Sequence, residues 1–63
     1  DTIGRVINLA NERSLSLFRL SQICDVPYST LKNAETGSQL AVSTIEKICD
    51  SLGMTMSEFF KDQ

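Results

Sequence analysis

No histidine occurs anywhere in these 63 residues, and cysteine occurs only twice. Without histidine, the side chain most used as a general base and as a metal ligand is missing. Cys24 and Cys49 stand 25 positions apart, unlike the close pairs that hold structural zinc. Acidic residues do not cluster, no glycine-rich loop is present to cradle a phosphate, and no nucleophile is paired with a base. Catalysis is therefore not expected, and neither is a metal, a cofactor or a small-molecule substrate. No apolar run approaches the ~20 residues that span a bilayer, and none reads as a signal peptide. Both cysteines lie inside apolar stripes and read as reduced core residues, which points to a cytoplasmic protein with no membrane partner. The chain starts at Asp1 rather than Met, as expected of a cropped, processed or partial chain.

Repeats, linkers and low-complexity stretches are also missing, so a single domain over residues 1–63 is expected, with no room for a second core. A core this small supplies only a few kcal/mol at lengths below ~70 residues. The hydrophobic share of 41% is ordinary for a folded chain and argues against disorder. Excess positive charge is lacking too: the net charge is −2, the wrong sign for a strong nucleic-acid binder. The imbalance is uneven. Arg5, Arg13, Arg19 and Lys32 leave residues 1–33 at +1, whereas residues 34–63 carry −3. Within a Debye length of roughly 8–10 Å, the local sign matters more than the total.

The hydrophobic pattern has helical spacing throughout and predicts five helices and no strand. The first runs from about Thr2 to Arg13, capped by Asp1 or Thr2, with Ile3, Val6, Ile7 and Ala10 on one face. After a Ser14-Leu15 connection, Ser16 caps a second helix, Leu17 to Cys24, which buries Leu17, Leu20 and Ile23 or Cys24. The break at Asp25-Val26-Pro27 is short. Asp25 is placed where a left-handed residue is needed, and Pro27 suits the first turn of a third helix reaching about Thr36. Gly37 ends that helix, and Leu31 and Ala34 turn inward. Leu40 and Val42 are expected to anchor the following loop. Ser43-Thr44-Ile45-Glu46 reads as a capping box opening helix four, with Ile45, Ile48, Cys49 and Leu52 inside and Gly53 at its end. Thr55-Met56-Ser57-Glu58 reads as a second capping box, before a short helix that packs Phe59 and Phe60 on the core.

The stretch from Leu20 to Ala34 carries the most information. Two helices joined by so tight a turn cross steeply and leave the second one projecting, as in a helix-turn-helix. With Ser29-Thr30-Leu31, Glu35-Thr36-Gly37 and the closing Leu52-Gly53-Met54-Thr55-Met56-Ser57-Glu58-Phe59-Phe60, nearly the whole chain resembles the lambda-repressor-like, Cro/C1-type (XRE) helix-turn-helix domains. The resemblance implies an all-α, compact five-helix bundle whose third helix lies in the major groove of double-stranded DNA. It also implies a transcriptional regulator, repressor-like, acting as a homodimer at least on DNA. Its base-facing positions fall on Tyr28, Ser29 and Asn33, with Lys32 beside them. Asn pairs with adenine, Ser with either kind of base edge, and the Tyr28 ring suits a thymine methyl. Thr30 falls where packing or a backbone phosphate is expected. The phosphate-contacting positions match Ser16 and Leu17, then Thr36, Ser38 and Ser43.

The chain departs from the family where charge and hydrogen bonding matter. Leu17 replaces a common Gln and cannot donate a hydrogen bond. Asp25 replaces a Gly and brings a negative charge, and Ser38-Gln39-Leu40 occupies a loop that often bears Lys or Arg. The Arg that commonly pairs with the Glu35 position corresponds to Ala10, leaving Glu35 to find Arg13, Arg5 or solvent. Arg5, Arg13 and Arg19 read as surface charges or Glu partners before phosphate ligands. These departures predict weak or dimer-dependent DNA binding. The rival expectation is a protein-interaction module, antitoxin-like or anti-repressor-like, gripping a partner with its acidic half.

Overall fold

A computed structural model describes residues 1–61, so only the last two positions of the expected 1–63 span lie outside the described residues. The chain forms α1 (Thr2–Glu12), α2 (Leu17–Ile23), α3 (Tyr28–Glu35), α4 (Val42–Leu52) and α5 (Met56–Phe60), with no strand among the described residues. The architecture is the expected all-α five-helix bundle, 25 × 22 × 19 Å across.

One backbone device ends α1, α2, α3 and α4. Each is followed by a left-handed residue: Ser14 (φ 57°), Asp25 (φ 56°), Gly37 (φ 117°) and Gly53 (φ 68°). In each case the next N–H reaches back across the turn: Leu15 to the Ala10 carbonyl, Val26 to Ser21, Ser38 to Asn33 and Met54 to Cys49, at 2.9–3.1 Å. This is the Schellman arrangement, which satisfies carbonyls that a helix end leaves free and reverses the chain within a few residues. In three of the four, an apolar side chain follows at the reversal: Val26 is buried, and Leu15 and Met54 are packed against the core. Glycine supplies the geometry cheaply at positions 37 and 53. Ser14 and Asp25 adopt it at a steric cost that the surrounding packing offsets.

Those reversals bring one face of every helix to a shared centre. Val6, Leu9 and Ala10 of α1, Leu20 of α2, Leu31 of α3, Ile45, Ile48 and Cys49 of α4, and Phe59 of α5 join Cys24 and Val26 of the α2–α3 turn. Both cysteines are free and buried, and burial pushes both thiols up from their ordinary pKa. Cys49 Sγ lies 3.7 Å from Met56 Sδ, a soft contact inside the core.

The helix starts differ from expectation at α4 and, by one residue, at α3. Asp1, Ser16 and Thr55 cap α1, α2 and α5 as the sequence suggests. The Ser43–Glu46 capping box does not form, because α4 already begins at Val42, with Ala41 as a cap that has no side-chain hydrogen bond. Ala41 itself takes the extended cap conformation, and its carbonyl accepts from Thr44 and Ile45. The burial of Ile45 and the packing of Leu40 fix this earlier start. A cap is worth about 1 kcal/mol, too little to oppose them. As a consequence Val42 points outward and is 64% exposed, not a buried anchor. Phe60 is likewise turned partly to solvent, at 42% exposure, since successive helical residues point about 100° apart and Phe59 takes the core position. In α2, Cys24 rather than Ile23 faces inward, and Leu17 is only partly buried. Pro27 sits just ahead of α3 rather than in its first turn.

Candidate nucleic-acid interface

Alternation around α3 determines what the helix offers to its surroundings. Leu31 and Ala34 are buried, so Tyr28, Ser29, Lys32 and Asn33 are carried on the outside. Ser29 and Asn33, four residues apart, share one strip of that face, and Tyr28 and Lys32 share the neighbouring strip. Thr30 is half-buried at the edge of the wedge, as suits a packing or backbone role. α3 starts after Pro27 with no side-chain cap, so its first turn keeps amide N–H groups available for an acceptor from outside.

The turn that presents α3 is firmly held. Asp25 is left-handed, Val26 is buried beneath it, and the Lys47 ammonium of α4 donates to the Asp25 carbonyl at 3.2 Å. Ser21 is buried where α2 meets the turn, and its hydroxyl donates to the Phe18 carbonyl. Its small side chain permits the close approach of the two helices. Among the described residues no buried side-chain nitrogen or oxygen lacks a partner.

The electrostatics are restrained. Lys32 Nζ lies 2.9 Å from the Glu35 carboxylate on the same helix and 5.9 Å from the centre of the Tyr28 ring. The hydrogen bond to Glu35, and then its charge, hold the Lys32 ammonium above the ordinary lysine range, firmly protonated. Glu35 therefore finds Lys32, not Arg13 or Arg5. Arg5 is engaged elsewhere, donating to the Phe59 carbonyl at 2.8 Å and the Glu58 carbonyl at 3.2 Å. Arg13 donates to the Leu9 carbonyl and lies 3.7 Å from Glu12, and Arg19 donates to Gln22 Oε1 at 3.3 Å. No arginine is a partner of Glu35.

The remaining sequence-suggested positions surround α3 rather than lie on its face. Ser16, at the start of α2, accepts the Arg19 N–H at 3.0 Å, and its own hydroxyl proton remains available. Thr36 donates its hydroxyl to the Asn33 carbonyl at 2.9 Å, so that donor must rotate away to meet a phosphate. Ser38 is exposed on the α3–α4 connection, and Ser43 is exposed in the first turn of α4. Ser43 is thus a free hydroxyl beside an uncapped helix start.

Phe18 was not singled out from the sequence. It is 52% exposed on α2 and meets the Tyr28 ring edge-on, centroids 5.2 Å apart and planes at 84°. The signal was an aromatic on the side of α2 opposite its apolar stripe. An edge-on ring pair contributes about 0.5–1.5 kcal/mol beyond its area, enough to restrain Tyr28. A family model for the Cro/C1-type HTH DNA-binding domain matches residues 5–63. No curated protein and no solved structure matches the chain.

Proposed function

The chain belongs to the Cro/C1-type helix-turn-helix DNA-binding family, and from that premise we propose that it is a sequence-specific, repressor-like transcriptional regulator that reads the major groove with α3. The observation that carries this reading is the outward polar strip of α3 (Ser29, Lys32 and Asn33, with Tyr28 at its head) on a turn pinned by Val26 and Lys47. Asn33 pairs with adenine, and Ser29 hydrogen-bonds a neighbouring base edge. Lys32 leaves Glu35 to meet a base or a phosphate, and Thr30 packs beside the backbone. Ser16, Thr36, Ser38 and Ser43 contact phosphates, helped by the uncapped amides that open α3 and α4. Repression follows from occupancy: a bundle lodged in the groove excludes other proteins from the same site.

With so few free cations, one copy binds weakly, and a two-fold homodimer on half-sites about 34–36 Å apart supplies the missing affinity. No described helix is long and apolar enough to cross a membrane. The buried free cysteines suit a reducing cytoplasm.

Selection from a pool of random duplexes tests the proposal. It should return a half-site, repeated at a fixed spacing if the protein dimerises. Tyr28→Ala combined with Asn33→Ala should then lower affinity at least tenfold while leaving the circular dichroism unchanged. A rival reading, a protein-binding element with little DNA affinity, draws on the neutralisation of Lys32 by Glu35. No enrichment and no gel shift at about 50 mM salt, where phosphate contacts are strongest, would favour that rival.

A further inference from the structure

Among the described residues five large apolar side chains are exposed: Phe18, Ile23, Tyr28, Val42 and Phe60. Two aromatic pairs involve members of this set, and in one of them, Phe59–Phe60, the first ring is fully buried. Phe18 and Tyr28 form the pair whose rings are both open to solvent, at 52% and 38% exposure, and they come from different helices. Tyr28 is the first residue of α3, so the ring pair adjoins the strip carrying Ser29 and Asn33. Lys32 stands over the Tyr28 ring on the same face.

We propose that Phe18 and Tyr28 together form an apolar notch that reads the 5-methyl group of thymine, and that Phe18 is a specificity determinant contributed by α2 rather than by the reading helix. The inference rests on the DNA-binding reading above. Thymine is the one base of ordinary DNA that shows an apolar group in the major groove. An edge-on pair leaves an angle between one ring's face and the other ring's edge, and that concavity suits a methyl group. Hydrogen-bonding side chains alone do not register the methyl, whereas two exposed rings gain from covering it. Phe18 acts in two ways: it contributes one wall and it fixes the orientation of the Tyr28 ring. Without it Tyr28 is free to rotate about χ1, and the notch is lost although the ring remains.

The experiment uses the best duplex recovered from a random pool and replaces its thymines one at a time with deoxyuridine, which keeps every hydrogen-bonding group and removes only the methyl. The unaltered protein should bind about fourfold more weakly at one or two positions, the factor expected for one buried methyl-sized group. Phe18→Ala, at a half-exposed site, should fold normally and bind thymine and uracil duplexes equally at those positions. Tyr28→Phe keeps the ring and should keep the discrimination. Binding that ignores uracil everywhere overturns the inference and leaves the regulator reading standing. A Phe18→Ala protein that is weaker overall but still prefers thymine shows a structural role only and also overturns it. Failure to bind any duplex overturns both readings.

Discussion

Helices α5 and α3 share brevity and little else. α5 has five residues, too few to satisfy its own backbone, and side chains meet several of its end groups. The Thr55 hydroxyl accepts from the Glu58 amide at 3.0 Å, and the Glu58 carboxylate accepts from the Thr55 amide at 2.8 Å. Arg5 reaches across from α1 to the carbonyls of Glu58 and Phe59, and the Phe59 ring is fully buried. α3 starts without a side-chain cap and exposes Tyr28, Ser29, Lys32 and Asn33. One helix closes the bundle; the other is anchored mainly by Leu31 and Ala34 and carries Ser29 and Asn33 outward. Closure of the bundle and display of an outward polar face thus fall to different helices, and substitutions should separate the two.

The sharpest separation sets Phe59→Ala against Tyr28→Ala. Removing a fully buried aromatic costs roughly 3–5 kcal/mol, comparable to the whole stability of a domain below ~70 residues. Phe59→Ala should therefore be largely unfolded at 25 °C by circular dichroism and urea titration. Tyr28→Ala loses an edge-on ring contact and the covered part of a ring that is 38% exposed, a smaller cost than emptying the Phe59 site, and should remain folded while DNA binding falls. If Tyr28→Ala unfolds the chain as readily, the outer face of α3 carries stability as well and the division fails.

How much of this was legible in the sequence depended on the reach of each interaction. Ser16, Asp25, Gly53 and the Thr55–Glu58 box act within three or four residues, and local pattern found them all. Ser43-Thr44-Ile45-Glu46 carries the same pattern as Thr55-Met56-Ser57-Glu58, yet only the second forms a capping box. α4 begins at Val42, two residues before a helix capped by Ser43 would begin, with Leu40 packed on the core just ahead of it, and a nearest-neighbour rule does not contain that packing. The partner of Glu35 was missed for a related reason. Arg5 was in principle available, but it is taken by α5, which lies more than 50 positions away. On α3, the inward Leu31 and Ala34 fixed the outward face from sequence, so the exposure of Tyr28, Ser29, Lys32 and Asn33 followed. Phe18 packing against Tyr28 needed the crossing of two helices, which the sequence does not give in ångströms.

The starts of α5 and α4 differ in the same way: one is capped by a side chain and the other is not. Thr55→Ala removes a working cap and should cost about 1 kcal/mol, read as a lower urea midpoint. Ala41→Asp does the reverse, adding a cap where the extended backbone already suits one, and should stabilise by about 0.5–1 kcal/mol. If the start of α4 faces phosphate, the same aspartate should weaken DNA binding severalfold. Stability and affinity then move in opposite directions. Ala41→Asp gaining stability with unchanged affinity would place the α4 start away from the backbone.

Glu35→Gln tests whether the restraint on α3 is electrostatic. It releases Lys32 without altering the buried face, so folding should be nearly unchanged. Affinity should rise severalfold at low salt, and the dependence of log K on log salt should steepen by up to about 0.9, one added phosphate contact. An unchanged slope would mean that Lys32 does not reach the backbone.

The smallest expected effect is one of pH and belongs to α5. Hydrogen bonds from the Thr55 backbone amide, and then from its side chain, hold the Glu58 carboxyl below the ordinary glutamate range. A folded-state value below the unfolded one stabilises the fold at pH above the unfolded value, and that contribution is lost as pH falls through the ordinary range toward the folded value. The melting temperature should thus be insensitive to this group near neutrality and decline below about pH 4–5. Glu58→Gln keeps an oxygen that accepts from the Thr55 amide but carries no titrating proton. Its acid decline should be shallower than that of the unaltered chain. The Thr55 amide resonance should follow the titration of Glu58 in the original protein and lose that response in Glu58→Gln. On α3 no carboxylate closes the helix start, so the amides of Tyr28 and Ser29 should show no matching response. An acid decline identical in both proteins would show that the box around Thr55 does not set the acid sensitivity of this end of the bundle.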